Sequence, residues 1–261
     1  MRLVNEPFHY PNTFLLLLGY AKVYFHLPYR QTEGIAQGHA KGKLPSIPDY
    51  STINRRINRL DIKVIDDGGK ELKDEYIIIA IDSTGVKITN RGRWMNEKWK
   101  VRKGYLKIHV AVNVKSKKIL SVRVTDEHVH DGKVLPELVE NITKSNRDTI
   151  GKFLAGDGAY DGNDVFRCAS DNGIYPRIKV RKNARVRLKT GHILRNLSVL
   201  AQRNDFGRWK DSAGYGKRWM AETVFSSIKR TFGECVYSVR FENMVKELML
   251  KVSLHNKFVS F

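Results

Sequence analysis

Residues 76–85 read Tyr-Ile-Ile-Ile-Ala-Ile-Asp-Ser-Thr-Gly, a continuous apolar run that ends at Asp82. An apolar run of this length, bounded by turn-forming residues, is typical of a central strand that is buried on both faces of a sheet. Such a strand requires helices on either side to cover it. We therefore expect an α/β domain in which residues 76–81 form the first strand and Asp82 lies at the end of that strand.

The runs that follow predict a mixed sheet. Strand-like stretches at residues 105–114 and 119–124 are joined by a short basic turn, so the first three strands should form an antiparallel meander. Helices and strands then alternate, which places helices on both faces of the sheet. The expected ranges are helix 134–142, strand 152–155, helix 161–172, strand 175–180, helix 217–232 and helix 244–258.

The first part of the chain predicts a small helical region. Residues 14–27 form an apolar helical pattern that should end before Pro28, because the residue before a proline is disfavoured in helical geometry. The stretch is too short and too interrupted for a membrane span. We place a domain boundary after this region, giving an N-terminal helical region at 1–75 and an α/β domain at 76–261.

Within that region, residues 52–60 predict a helix that Asp49 or Ser51 can cap. Its apolar residues share one face, and Arg55 and Arg59 lie on the other. Residues 28–40 predict another short helix before it, and two short helices joined by a turn, the second carrying basic side chains, are what a helix-turn-helix needs to enter a major groove. Any amphipathic surface helix shows the same pattern, so both interpretations stay open.

Charge is the unusual feature of the composition. The 261 residues include 47 Lys and Arg against 27 Asp and Glu, a net charge of +20. Such an excess causes strong self-repulsion unless a polyanion neutralises it, so nucleic acid is the first partner to consider. Residues 181–210 are strongly basic and resemble an insertion or loop. Residues 87–107 interleave basic with aromatic residues, which suits either a nucleic-acid groove or a solvated surface over a core.

The remaining composition excludes several classes of protein. Hydrophobic residues make up 41% of the chain, which is typical of a globular protein. Two cysteines, Cys168 and Cys235, are too few for a disulfide framework or a four-thiolate zinc site. A signal peptide is not evident. These features predict a reduced, cytoplasmic protein without a membrane segment.

Three acidic residues are candidates for a catalytic cluster. Asp82 and Asp157 each follow a predicted strand, and their carboxylates would face each other if the two strands were neighbours. Glu222, on a later helix, could add a third oxygen. Clustered carboxylates repel one another unless a cation lies between them, and Mg²⁺ or Mn²⁺ suits such ligands. Taken singly, the aspartates could instead cap turns and Glu222 could face solvent.

The residues around Glu222 carry a further pattern, Y-x2-R-x3-E-x6-K. It is formed by Tyr215, Arg218, Glu222 and Lys229. This pattern resembles the motif around the third acidic residue in DDE-class insertion-sequence transposases of bacteria and archaea. Residues 81–85 and 156–161 resemble the first and second aspartate segments of that family, and the resemblance covers about residues 28–258.

The resemblance implies an RNase H-like fold, a mixed five-stranded sheet with flanking helices. It implies that Asp82, Asp157 and Glu222 are catalytic residues that bind two Mg²⁺ or Mn²⁺ ions. Two ions would stabilise the attacking and the leaving oxygen of a phosphodiester displacement. The implied enzyme is a DNA transposase that hydrolyses the 3′ end of its element and joins the freed hydroxyl to target DNA.

The resemblance also implies roles for the neighbouring residues. Arg218 and Lys229 would grip phosphates beside the scissile bond, and Tyr215 would position the strand or a metal-bound water. Trp219 could stack on an unpaired base, although packing in the core is an equal alternative. With Arg55 and Arg59, these are the candidate DNA-binding residues.

The implied partner is double-stranded DNA, both the terminal inverted repeats of the element and its target. Joining two ends makes a homodimer the expected state in the DNA complex, and the expected location is the nucleoid of a bacterial or archaeal cytoplasm. Two alternatives stay open: a catalytically inactive or repurposed sequence-specific DNA-binding protein, and a nuclease that cuts without joining. His109, His128 and His130 are interpreted as structural or supporting polar groups.

Overall fold

The computed structural model describes residues 10–40, 42–44, 46–64, 77–89, 104–145 and 152–260. In these ranges the chain forms a mixed sheet with helices on both faces. The strands are β1 (Ile77–Ile88), β2 (Tyr105–Asn113), β3 (Ile119–Asp126), β4 (Lys152–Gly156), β5 (Ile174–Ile178) and β6 (Cys235–Val236). The helices are α1 (Asn12–Tyr24), α2 (Tyr29–Ala40), α3 (Tyr50–Ile57), α4 (Asp131–Ser145), α5 (Asn163–Asp171), α6 (Ile193–Asn204), α7 (Phe206–Ser212), α8 (Trp219–Phe232) and α9 (Phe241–Phe258).

Strand β1 lies at the centre of the sheet. It pairs antiparallel with β2, which pairs antiparallel with β3, and on its other side it pairs parallel with β4, followed by β5. This order confirms the predicted meander and the mixed sheet with flanking helices expected of an RNase H-like domain. A short additional strand, β6, pairs with the far end of β1 and was not predicted from the sequence.

Alternate side chains of β1 enter different cores, because successive residues of a strand point to opposite faces. Ile79 and Ile81 pack with Phe166 and other residues of α4, α5 and α6. Ala80 lies in the other core, with residues of α8, α9 and the N-terminal helices. Asp82, two residues beyond Ala80, is therefore directed to the α8 side of the sheet.

One prediction about β1 was wrong. The strand does not end at Asp82 but continues to Ile88, because residues 83–87 remain paired with β2. The pairing with β4 stops earlier, at Ala80 opposite Ala155. Asp82 thus lies just beyond the point where the pairing of β1 with β4 ends, so side chains from other elements can approach β1 on that side.

The basic stretch at 181–210 is only partly a loop, which corrects a second prediction. Its second half contains α6, whose buried stripe consists of Asn196, Val199 and Gln202. Two amides in three buried positions hide the helical periodicity from a hydrophobicity pattern. Gln202 is buried because its side chain accepts from and donates to the backbone at the end of β5, at 3.0 and 2.9 Å. Most of the other basic segment, residues 87–107, lies outside the described residues.

The N-terminal helices pack directly on the helices that cover the sheet. Helix α1 lies against α9, with Gly19 in contact with Leu250, and residues of α1 and α3 belong to the same core as α8 and α9. The predicted boundary at residue 75 falls in residues 65–76, outside the described part of the chain. Within the described ranges, every helix is too short or too polar to cross a lipid bilayer.

Helix α3 begins as predicted. Asp49 caps it, and the carboxylate accepts the backbone N–H groups of Ser51 and Thr52 at 2.8 and 2.9 Å. Arg55 and Arg59 are exposed on the face opposite the core. Their use in reading DNA stays a prediction.

Candidate active site

The parallel pairing of β1 with β4 places the two aspartates at one edge of the sheet. Ala80 lies opposite Ala155, and Asp82 and Asp157 each follow two residues later. Equal offsets along neighbouring parallel strands put both side chains at the same level and on the same face. The two strands are therefore neighbours, which is the condition under which the sequence predicts that the carboxylates face each other.

Asp157 ends β4 in a tight turn. Its Oδ1 accepts the backbone N–H of Ala159 at 2.9 Å, so the carboxylate caps the short 3-10 turn Gly158–Tyr160. The preceding Gly156 packs closely, because a Cβ at this position would lie 3.0 Å from the side chain of Ile81. Glycine therefore allows β4 to approach β1 just before the acidic residue.

Helix α8 brings the third acidic residue to this edge. Ala221, Val224 and Phe225 bury one face of the helix in the core shared with β1 and β2. Glu222 lies in its first turn and is 57% exposed at the side chain. The helix thus directs Glu222 away from the core, towards the end of the sheet that carries Asp82.

Arg218 links two of the three acids. Its Nη1 lies 3.2 Å from Oδ2 of Asp82, and its Nη2 lies 2.5 Å from Oε1 of Glu222. The arginine precedes Glu222 by one helical turn, which brings both side chains to the same side of the helix. The structure therefore places Arg218 on the acids themselves, whereas the sequence had suggested contacts with phosphate.

The acids also influence one another electrostatically. Burial raises the pKa of Asp82, and the negative charges of Asp157 and Glu222 raise it further. The N–H of Ser83 and the guanidinium of Arg218 act in the opposite direction. A cluster of carboxylates that raise each other's pKa is stabilised by a cation, and here Arg218 supplies one.

The donor set suits a hard divalent ion. Asp82, Asp157 and Glu222 offer only carboxylate oxygens, the ligands that Mg²⁺ and Mn²⁺ prefer. Within the described ranges, however, no group of three or more His, Cys, Asp or Glu side chains is already arranged to hold a metal. An ion shared by Asp82 and Glu222 would have to take the position that the guanidinium of Arg218 occupies.

Lys229 extends the site along β1. Its Nζ donates to Oγ1 of Thr84 at 2.9 Å, two residues beyond Asp82. Glu222 and Lys229 are seven residues apart on α8 and therefore lie on the same side of the helix. An ammonium group thus lies beside the strand that carries the first acid.

Two aromatic residues lie at and just before the start of α8. Trp219 is 56% exposed, so the core-packing alternative for this residue is wrong. Tyr215 is half-buried against Trp209, with ring centroids 5.3 Å apart. Burial raises the pKa of Tyr215, the charge of Arg218 lowers it, and the charge of Asp157 raises it. Tyr215 is thus part of the electrostatic environment of the acids.

Arg55 and Arg59 are not part of this cluster. Arg55 lies on α3, which packs against α1 and α2, and Arg59 lies in the turn that follows this helix. The structure shows no contact between these arginines and Asp82, Asp157 or Glu222. The predicted site residues therefore fall into two groups, one around α8 and one on the N-terminal helices.

A buried polar network lies behind Asp82. The sequence predicted only that one of its members, His109, is a structural or supporting polar group. His109 is fully buried, with Nε2 2.9 Å from Oγ1 of Thr125 and Nδ1 3.2 Å from Oδ1 of Asp131. Lys107 Nζ lies 2.7 Å from the same oxygen. Burial alone would raise the pKa of Asp131, but hydrogen bonds from His109, Lys107 and Ser83 hold it well below its ordinary value.

This network reaches the acid cluster through Ser83, which follows Asp82 and whose side chain hydrogen-bonds Asp131. The alternation of Lys107 and His109 along β2 puts both side chains on one face, and Asp131 starts the helix that covers that face. That spacing was the available signal in the sequence. That Asp131 is the acid that contacts both Lys107 and His109 could be identified only from the structure.

Residues 73–257 match the family model described as a transposase DDE domain, and residues 4–91 match a second model with the same description. Among solved structures, the chain is similar to a piggyBac transposase synaptic complex with hairpin DNA, with a TM-score of 0.49 and 10% identity over 99% of this chain and 67% of that one. It is also similar to a simian T-cell lymphotropic virus intasome in complex with PP2A regulatory subunit B56 gamma, with a TM-score of 0.29 and 11% identity over 78% of this chain and 65% of that one. The first family model covers well over half of the chain and includes Asp82, Asp157 and Glu222, so the chain belongs to the transposase DDE domain family.

Proposed function

We propose that this chain is the transposase of an insertion sequence, and that it cleaves and joins DNA at the edge of the sheet where β1, β4 and α8 meet. The observation that carries the proposal is the register of β1 and β4, which aligns Asp82 with Asp157 while α8 brings Glu222 to the same place. These three acids are the proposed catalytic residues and the proposed ligands of divalent ions.

Two bound Mg²⁺ or Mn²⁺ ions would stabilise the attacking and leaving oxygens of the phosphodiester. The residues of the chain prepare for this chemistry by positioning. The guanidinium of Arg218 balances the negative charges of Asp82 and Glu222. When divalent ions balance those charges instead, the guanidinium is free to pair with a phosphate oxygen. Lys229, held by Thr84, supplies a second cation beside β1.

The remaining proposed contacts are with the DNA itself. Exposed Trp219 is placed to stack on an unpaired base, and Tyr215 to position the strand beside Arg218. A net charge of +20 favours binding to a polyanion. Recognition of terminal inverted repeats is assigned to the N-terminal helices, where Arg55 and Arg59 are exposed. A homodimer in the DNA complex follows from the need to bring two ends together.

The proposal is tested with duplexes that carry the ends of the element, incubated with target DNA and Mg²⁺. The expected products are a nick that leaves a 3′-hydroxyl at the element end and, later, a strand joined to the target. Removing the metal with a chelator should stop both steps without preventing DNA binding.

Two variants sharpen this test. Glu222→Gln should bind the duplex and fail to nick it, whereas Glu234→Gln, an exposed acid paired with Lys87, should behave like the wild type. Binding without any cleavage by the wild type would favour a repurposed DNA-binding protein. Cleavage without joining would favour a nuclease.

A further inference from the structure

A basic cavity of about 550 Å³ lies beside the turn that follows Asp157. Four arginines line it, together with a single acidic residue, Asp161. The arginines are Arg181, Arg185, Arg187 and Arg195. The role of the cavity depends on which of these charges are already neutralised within the protein.

Arg195 is neutralised. Its Nε and Nη2 lie 2.6 and 3.1 Å from the two carboxylate oxygens of Asp161, in a bidentate pair. The side chains are 11% and 1% exposed, and the N–H of Arg181 donates to the same carboxylate at 2.9 Å. This pair forms part of the wall and contributes no spare charge.

The positive charges of the other three arginines are not balanced by a carboxylate in the described part of the chain. Arg181, Arg185 and Arg187 are exposed, and within the described residues no carboxylate lies within ion-pairing distance of their guanidinium groups. The cavity therefore carries an excess of about three positive charges. A concave surface of one sign concentrates field lines and attracts ligands of the opposite sign.

The loop that carries these arginines is held in a fixed conformation. Asn196 of α6 accepts from the N–H of Arg187 at 3.1 Å and donates to its carbonyl at 3.1 Å. Arg203 donates to the carbonyl of Ala184 at 2.6 Å, and Gly191 donates to that of Arg187 at 2.7 Å. Because the backbone is fixed, a ligand that binds here has to order the arginine side chains but not the loop that carries them.

The cavity is also joined to the active site. The Nε of Arg181 donates to the carbonyl of Gly158 at 3.0 Å, and Gly158 directly follows Asp157. A DNA strand whose scissile phosphate lies at Asp157 therefore has a basic cavity immediately next to it.

We infer that this cavity is a phosphate-binding site for the sugar–phosphate backbone of the DNA that flanks the cleavage position, with Arg185 and Arg187 as its principal ligands. Guanidinium groups bind phosphate oxygens in a bidentate manner. Contacts of this kind fix the register of DNA without reading its sequence. The inference rests on the proposed function of the acid cluster and adds a second point of attachment for the same DNA.

Such a site contributes to affinity rather than to chemistry. Each phosphate contact adds about 0.9 to the slope of log K against log salt concentration for duplex DNA. Loss of two contacts should therefore lower the magnitude of the slope by about 2.

The first experiment measures the dissociation constant for an end duplex over a series of salt concentrations. Arg185→Gln/Arg187→Gln is compared with Lys63→Gln/Lys117→Gln, which removes the same charge from two exposed lysines near β3, at the opposite edge of the sheet. The first variant should lose about 2 units of slope and the control should lose little. Equal losses in both would overturn the inference, because they would reflect net charge alone.

A conservative variant guards against misfolding. Arg185→Lys/Arg187→Lys keeps both charges and should keep most of the salt slope, although it loses the bidentate geometry. Thermal unfolding of each variant should match that of the wild type. A lysine variant with the same loss of slope as the glutamine variant would contradict a site based on charge.

The second experiment locates the phosphate. Single methylphosphonates, which carry no charge, replace successive phosphates beside the cleavage position. At the bound phosphate the substitution should weaken binding by the wild type and have no further effect on Arg185→Gln/Arg187→Gln, a non-additivity that indicates direct contact. If the effects of the methylphosphonate and of the arginine substitutions on binding add at every position, the inference is overturned, and cleavage by the wild type would show that the proposed function still holds. A wild type that neither binds nor cleaves DNA would overturn the proposed function as well.

Discussion

Replacing Asp161 with asparagine should destabilise the protein substantially, because it leaves a buried arginine without its counter-charge. The Asp161 side chain is 1% exposed and that of Arg195 is 11% exposed. Removing one partner of a buried ion pair costs about 3–5 kcal/mol. The lower end applies here because Arg195 keeps some contact with solvent. Asparagine retains one oxygen that can accept the N–H of Arg181, but its amide nitrogen cannot accept the second hydrogen bond from Arg195, so the change removes the charge and one acceptor together.

A loss of about 3 kcal/mol corresponds to a fall in the melting temperature of roughly 6–12 °C, since a domain of this size shifts by about 2–4 °C per kcal/mol. Thermal and urea unfolding of the purified chain measure the change. Asp164→Asn is the matched control, because this acid of the same helix region is 97% exposed and lies 3.8 Å from its arginine partner. It should leave the melting temperature nearly unchanged.

The double variant Asp161→Asn/Arg195→Gln completes a thermodynamic cycle. If the two side chains act as a pair, the double variant should be less destabilised than the sum of the single variants, with a coupling energy of about 1–3 kcal/mol. A coupling near zero, or a loss for Asp161→Asn no larger than that for Asp164→Asn, would refute the interpretation of Arg195 as a structural arginine.

Two further predictions concern the surroundings of Asp82. Lys229→Met should reduce nicking of an end duplex, because it removes the cation held at Thr84. Arg230→Met, one position along α8 and exposed, should have little effect. Equal nicking rates for the two variants would contradict a role for Lys229. The depressed pKa of Asp131 contributes stability above the pKa of an unfolded aspartate, about 3.9, and this contribution is lost as the pH falls through the folded pKa. The free energy of unfolding measured between pH 5 and pH 2 should therefore decline less steeply for Asp131→Asn than for the wild type, and parallel curves would contradict the network around His109.

The central strand and the acidic residues could be predicted because their signals are local. A continuous apolar run identifies a strand that is buried on both faces, and such a strand must lie inside the sheet. Asp82 and Asp157 both follow such runs. Glu222 belongs to a sequence motif in which Arg218, Glu222 and Lys229 are spaced so that they share one side of a helix. The structure confirms that the first two share an edge and that Glu222 is linked to Asp82 through Arg218.

What the sequence missed depends on contacts between distant segments. The length of β1 is set by its pairing with β2, which no run of hydrophobic residues within β1 records. Helix α6 was obscured because Asn196 and Gln202 are buried by hydrogen bonds rather than by apolar contacts. The division of the arginines into paired and unpaired ones requires Asp161, which is 34 residues from Arg195 in the sequence.

The central claim is that Asp82, Asp157 and Glu222 hold divalent ions at the scissile phosphate, and a change of metal preference tests it most directly. In Asp157→Cys a thiolate replaces a carboxylate, and thiolates bind the hard Mg²⁺ ion poorly but accept transition metals more readily. Nicking of an end duplex is measured with each metal in turn, with Asp164→Cys as the exposed control. We predict that Asp157→Cys nicks with Mn²⁺ and fails with Mg²⁺, while the control is active with both. Equal activity of Asp157→Cys in the two metals would contradict the assignment of Asp157 as a metal ligand.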